Sequence, residues 1–147
     1  MKIIAKNKRA SYDFELSDRF EAGLMLVGTE VKSLRLGKVS IKEAFISIDK
    51  NYEAWIQGML IAPYSHGNQF NHEQARKRKL LLSKKEIKQI YHQMKAQKLT
   101  IVPTIIYFKK SYVKIELALA KGKKLHDKRA AEAKKDVEKK LRRGIYE

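Results

Sequence analysis

Four histidines are the first residues in this chain that could do acid–base or metal chemistry: His66, His72, His92 and His126. His66 and His72 stand six residues apart with Glu73 adjacent. A metal centre needs at least a third ligand held in register, and none is spaced for it. We read this pair as solvent-exposed loop histidines. A phosphodiester-cleaving pair such as His72 with His126 has nothing but residue type behind it. No glycine-rich phosphate loop, nucleophile elbow or paired-carboxylate motif occurs. The residues therefore point away from an enzyme, and no metal or cofactor is expected.

What remains is charge. The chain of 147 residues carries 33 Lys and Arg against 16 Asp and Glu, a formal net charge of +17. Such an excess predicts attraction to phosphate polymers or anionic membranes. A membrane partner is disfavoured, because no run approaches the ~20 apolar residues of a spanning helix. The first residues, Met1 to Lys6, also lack the continuous apolar stretch of a secretory signal. Cysteine is absent, which removes disulfides and thiolate metal sites and fits a cytoplasmic location. Nucleic acid is the expected partner.

Within that charge, particular residues stand out. Arg76-Lys77-Arg78-Lys79 lies beside an irregular stretch, and we expect it to contact phosphates. Glu30 is an acid among Lys32 and Arg35. Composition favours an ion pair that aligns those cations; the alternative is an acceptor for a base edge or ribose hydroxyl. Tyr12, Tyr52, Trp55 and Tyr64 could stack on bases, although the single Trp is expected to pack rather than serve as a platform. His126 follows Lys123 and Lys124 and precedes Asp127-Lys128-Arg129. It is either a base-stacking residue held by neighbouring cations or a spacer.

The elements that must position these residues follow from periodicity. Tyr12 to Leu16 alternates with a period of two, as a half-buried strand does. Phe20 to Gly28 is apolar, and Thr29 to Leu36 reads as a strand with a charged face. Ala44–Ile48 and Tyr52–Gln57 flank Asp49-Lys50-Asn51, a hairpin pattern. Pro63 to Gln74 reads as a long loop. Ser83 and Glu86 fit a capping box. Ile87, Ile90, Tyr91 and Met94 follow on one helical face. Thr100 to Phe108 is β-rich, with Pro103 indicating an edge strand or a bulge. The Lys109-Lys110-Ser111 turn leads into the alternation of Val113, Ile115, Leu117 and Leu119. The sum is a mainly β fold: an oligonucleotide-binding-type antiparallel barrel of about six strands with one to three helices.

Residues 1–121 form the expected barrel and 122–147 a basic tail. In the tail Ala130, Ala133, Val137 and Leu141 line one face, and Asp136–Lys140 and Glu138–Arg142 are helix-favouring pairs. With only two large apolar residues in that stripe, the tail is expected to be disordered when free and helical when bound. A helix over 127–143 would be about 25 Å long.

Five segments occur together in order: Asn7-Lys8-Arg9-Ala10, Phe20-Glu21-Ala22-Gly23, Glu30-Val31-Lys32-Ser33-Leu34-Arg35, Arg78-Lys79-Leu80-Leu81-Leu82, and Gly122-Lys123-Lys124 through His126-Asp127-Lys128-Arg129. Their order and spacing resemble the SsrA-binding protein family, also called small protein B (SmpB), over nearly the whole chain. The resemblance implies a non-enzymatic factor. It would bind the tRNA-like domain of transfer-messenger RNA (tmRNA) and, with elongation factor Tu and alanyl-tmRNA, act on stalled bacterial ribosomes. The tail would enter the empty message channel and sense its vacancy. By matching motif, Asn7, Arg9, Glu30, Lys32 and Arg35 would belong to the tmRNA face, with Gly122, Lys123 and Lys124 near that RNA. His126 would meet small-subunit ribosomal RNA, supported by Asp127, Lys128 and Arg129. Ser83 stands where relatives often have Asn, and either residue can cap the helix. Ile145, Tyr146 and Glu147 fit the family pattern only loosely.

Overall fold

Strands with one apolar face must pair and curl to bury it, and the described residues do so with nine of them. The computed structural model describes residues 1–65 and 71–122. In chain order the elements are β1 (Lys2–Lys6), α1 (Lys8–Asp13), β2 (Phe14–Leu24), α2 (Gly28–Arg35), β3 (Val39–Ser40) and β4 (Phe45–Ile48). Then come β5 (Ala54–Gln57), β6 (Leu60–Ile61), β7 (Arg78–Leu81), α3 (Lys84–Gln97), β8 (Thr100–Lys109) and β9 (Tyr112–Gly122). Seven strands make one antiparallel sheet in the order β1-β8-β9-β2-β7-β5-β4, and β3 pairs with β6. The sheet also brings β4 against β8 without a ladder between them, so it curls towards a barrel. The mainly β reading therefore holds, with three helices and more strands than the six expected. The extra strands, β1, β3, β6 and β7, have five residues or fewer, too short a run for alternation to be read.

Register shifts within β1, β2 and β8 supply the curl, because a bulge bends a strand and adds right-handed twist. The one in β8 falls between Pro103 and Ile105. Pro103 thus marks a bulge as expected, but not an edge, since β8 lies between β1 and β9. Inside, Ile56, Ile61, Ile106 and Ile115 are fully buried, with Met59, Leu80 and Leu117 beside them. Burial of each such side chain contributes on the order of 1.5–3 kcal/mol. Gly58 closes the passage from β5 to β6 at φ +77°, where a Cβ would come within 2.7 Å of the Glu43 carbonyl oxygen. Only glycine fits that turn and that approach.

Both predicted hairpins are present, β4–β5 around Asp49 and β8–β9 around Lys110. The β9 alternation buries Val113, Ile115, Leu117 and Leu119. Two segments differ from expectation. Tyr12 and Asp13 close α1, and the strand starts only at Phe14. More important, 28–35 is a helix and not a strand. Its buried residues are Glu30, Ser33 and Leu34, a three-then-four spacing that a helix places on one side and a strand does not. The Glu30 carboxylate also accepts the Val27 N–H at 2.9 Å, satisfying a donor at the helix start. The β-branched and leucine content of this short segment gave it a strand-like appearance.

In α3 the Ser83 hydroxyl accepts the Glu86 N–H at 3.2 Å, as a cap should. The Glu86 side chain turns to the Ser83 hydroxyl itself, at 3.0 Å, not to the Ser83 backbone. Ile87 and Ile90 of the predicted apolar face are buried, and Tyr91 and Met94 are half-buried.

Candidate nucleic-acid interface

Glu30 is the centre of the most elaborate polar cluster. Its carboxylate has no exposure and receives Arg76 Nη2 at 2.5 Å, Arg76 Nε at 3.1 Å and the Nε of the fully buried Arg78. The composition-based expectation of an ion pair was right in kind, but the partners are not Lys32 and Arg35. Arg78 spends its other donors on the carbonyls of Met59, Arg76, Glu73 and Gln74. One guanidinium therefore fastens β7, the 71–76 segment and the approach to β6 onto α2. Burial by itself would raise the Glu30 pKa. The Arg76, Val27 and Arg78 hydrogen bonds outweigh it and hold the carboxyl below its ordinary value. Burial pushes the Arg78 guanidinium down, and Glu30 opposes that shift.

This changes how two of the predicted contact residues can act. Glu30 cannot accept a bond from a base or ribose while both oxygens face guanidinium groups inside the protein. Arg78, expected to grip phosphate, is likewise an interior strut. Each positions a surface without forming it. Lys32 and Arg35 lie on exposed parts of α2, with the Lys32 ammonium 5.4 Å from the centre of the Tyr64 ring. His72 supports the same helix. Its Nδ1 lies 2.8 Å from the Thr29 hydroxyl and its Nε2 2.9 Å from the Ile61 carbonyl, so it is a structural link, not a free loop residue. His66 lies outside the described residues.

The other predicted group sits at α1. Asn7 is buried: its side chain accepts the Ala10 N–H and donates to the carbonyls of Ile41 and Pro103. It caps α1 and ties that helix to the bulge in β8, again positioning rather than presenting a polar atom. Arg9 is exposed and bridges Asp13 at 3.2 Å and Glu43 at 3.1 Å. A cleft of about 230 Å³ opens beside it, lined by Arg9, Lys42, Glu43 and Phe45 among others. Gly122 is the cross-strand partner of Phe14, directly after α1. The structure thus brings Gly122 to the α1 end. Lys123, Lys124, His126, Asp127, Lys128 and Arg129 lie outside the described residues, as does the predicted tail helix. Among the described residues, no hydrogen bond or ion pair joins the α1 group to Lys32 or Arg35.

A third patch was missed in the sequence. On the outer face of β2, β8 and β9, the Tyr107 hydroxyl donates to Glu21 and Lys109 Nζ lies 3.4 Å from the same carboxylate. The Tyr107 bond is the chief reason the Glu21 carboxyl sits below its ordinary pKa. In the neighbouring row a Cβ at Gly23 would stand 3.3 Å from Leu81 Cβ and 3.7 Å from Lys114 Nζ. Leu81 and Met25 are about half exposed. A bare glycine flanked by apolar side chains, with a fixed carboxylate and lysines around it, can hold a ribose or base edge as well as phosphate. The acid in Phe20-Glu21-Ala22-Gly23 was visible in the sequence, but its partner Tyr107 lies 86 residues away.

The fold and these patches define a small, basic, antiparallel β protein whose interior ion pairs shape an exposed cationic surface. The family model of the SmpB protein matches residues 4–147. The chain belongs to that family. It is similar to the SsrA-binding protein of Carboxydothermus hydrogenoformans, 47% identical over 144 residues, covering 98% of this chain and 96% of the relative. It is also similar to that of Fusobacterium nucleatum, 50% identical over 141 residues, covering 96% and 95%. A chain of the solved structure described as "tmRNA-SmpB: a journey to the center of the bacterial ribosome" aligns with a TM-score of 0.68 and 43% identity, covering 82% of this chain and 85% of that one.

Proposed function

We propose that the chain binds the tRNA-like domain of tmRNA and carries it to bacterial ribosomes stalled on broken messages. It would do so as a binding factor without catalytic activity, in company with elongation factor Tu and alanyl-tmRNA. The family match over residues 4–147 is the observation that carries this reading. The geometry supports it in a specific way. A folded RNA needs a preformed surface, and the Glu30–Arg78–Arg76 lock holds α2 so that Lys32 and Arg35 are presented without an ordering cost at binding. The Glu21–Gly23–Lys114–Leu81 patch offers acceptor, cation and apolar floor together.

Division of labour follows. Residues 1–121 would grip tmRNA, and 122–147 would act on the ribosome. The tail would fold only in a message channel left empty, because a channel filled by mRNA denies it both volume and phosphate partners. His126 with Asp127, Lys128 and Arg129 would make that contact with small-subunit ribosomal RNA, while Lys123 and Lys124 stay near tmRNA.

Binding to the tRNA-like domain and to poly(U), at matched salt, tests the first part. Preference for the tRNA-like fold is expected, and equal affinity would reduce the protein to a general RNA binder. Removal of residues 125–147 should leave tmRNA affinity intact and abolish peptide tagging; a large loss of affinity would show that the tail also grips.

A further inference from the structure

The lysines on α3 and the adjoining β4–β5 hairpin have no part in the surface described so far. Helix α3 carries Lys84, Lys85, Lys88 and Lys95 with a single acid, Glu86, whose carboxylate faces the Ser83 hydroxyl. Among the described residues none of these four lysines has a carboxylate within ion-pair distance. Two of them stand over aromatic rings: Lys88 Nζ lies 5.3 Å from the centre of Tyr52, and Lys95 Nζ 5.5 Å from that of Tyr91. Alongside, Lys77 Nζ lies 4.5 Å from the centre of Trp55. A cation over a ring at such distances is attracted by the ring's negative face, so these ammonium groups are held in place before any ligand arrives.

Tyr52 sharpens the point. It sits at φ +58°, a left-handed conformation that a bulky side chain adopts only against a steric cost. Its ring meets Tyr91 edge to face, with centroids 5.6 Å apart and planes at 83°. A strained tyrosine is thus kept where its ring braces Tyr91 and carries Lys88.

We propose that this hairpin–α3 face is a second RNA-binding surface, made for the phosphate backbone of double-helical RNA. Charge complementarity selects a polyanion. The rings select against a single strand, because the aromatic faces that would stack on bases are already covered by lysines. The Trp55 indole N–H is also committed to Asp49, at 3.1 Å. Lys84, Lys88 and Lys95 follow one another at intervals of four and seven residues and so share one face of α3, as suits contacts along a backbone and not around one base. The proposal rests on the reading that the chain works between two RNAs; this face would meet the second.

Three full-length proteins decide it: the wild type, K85Q/K88Q/K95Q, and Y52G. None of these positions belongs to the tmRNA surface above. Each protein is titrated with an RNA hairpin of about 20 base pairs, with poly(U) and with the tRNA-like domain. Loss of three phosphate contacts should lower the slope of log affinity against log salt by about 2–3 on the hairpin and weaken binding about tenfold or more. Affinity for the tRNA-like domain should stay within about twofold on the same basis. Y52G keeps every lysine and relieves the backbone, so a several-fold loss on the hairpin alone would show that the ring places the charge. Unchanged hairpin affinity in the triple variant would overturn the proposal, as would wild-type preference for poly(U) or an equal loss on all three RNAs. Failure of the wild type to prefer the tRNA-like domain would instead count against the tmRNA reading and leave the hairpin comparison intact.

Discussion

The α2 side and the α3 side of this protein use the same residue types for opposite ends. At α2, Arg76 and Arg78 both turn onto Glu30, and the fully buried Arg78 gives up contact with solvent to fasten four stretches of chain. At α3, lysines turn outward and rest on rings. The difference follows from the head groups. A guanidinium has five donors in a planar fork and can satisfy carboxylate and carbonyls together when buried. An ammonium is strongly hydrated and keeps to the surface, where an aromatic face can still hold it. A net charge of +17 therefore conceals two populations, one that builds shape and one that meets a partner.

The largest expected effect comes from breaking the buried pair. Glu30→Ala leaves Arg78 uncompensated in the interior and should cost about 3–5 kcal/mol of stability, read from urea unfolding. A loss below about 1 kcal/mol would mean that water reaches the site and the contrast between the two sides is not one of burial.

Acid sharpens the same comparison. The folded Glu30 pKa is below its unfolded value, so the stabilisation is full above the ordinary carboxylate range. It is lost as pH falls through the lower folded value. The wild type should thus lose stability over the acid range, and Glu30→Gln should show a shallower decline there. Parallel curves would remove Glu30 from the acid response.

A smaller change is expected on the sheet face. Tyr107→Phe removes the donor to Glu21 and should cost about 1 kcal/mol, while weakening the tRNA-like domain several-fold. Unchanged RNA affinity would make that patch structural only. Least is expected at the α3 cap: Ser83→Ala should cost about 1 kcal/mol or less, and Ser83→Asn almost nothing, both measured by thermal unfolding.

Much of this was legible beforehand. Both hairpins, the α3 cap and apolar face, and the mainly β class were each written in a local period or a turn cluster. The 29–36 stretch was misread because eight residues with Val31, Leu34 and Leu36 fit either period, and the choice depended on what Glu30 and Ser33 would be buried against. The roles of Asn7 and Arg78 were hidden for a related reason. Both are polar residues in basic stretches, and only partners 34 to 96 residues away for Asn7 and 48 away for Arg78 draw them inside.

By itself the sequence determined the strand and helix periods that are local, the excess of positive charge, and the ordered motifs that carry family membership. Such properties depend on near neighbours or on sums along the chain. Tertiary structure alone decided which charges were interior and which were free, that Tyr52 would brace a lysine, and that Glu21 would be held by Tyr107. Those outcomes depend on distances between remote segments, and a charge changes its meaning when water is taken from around it.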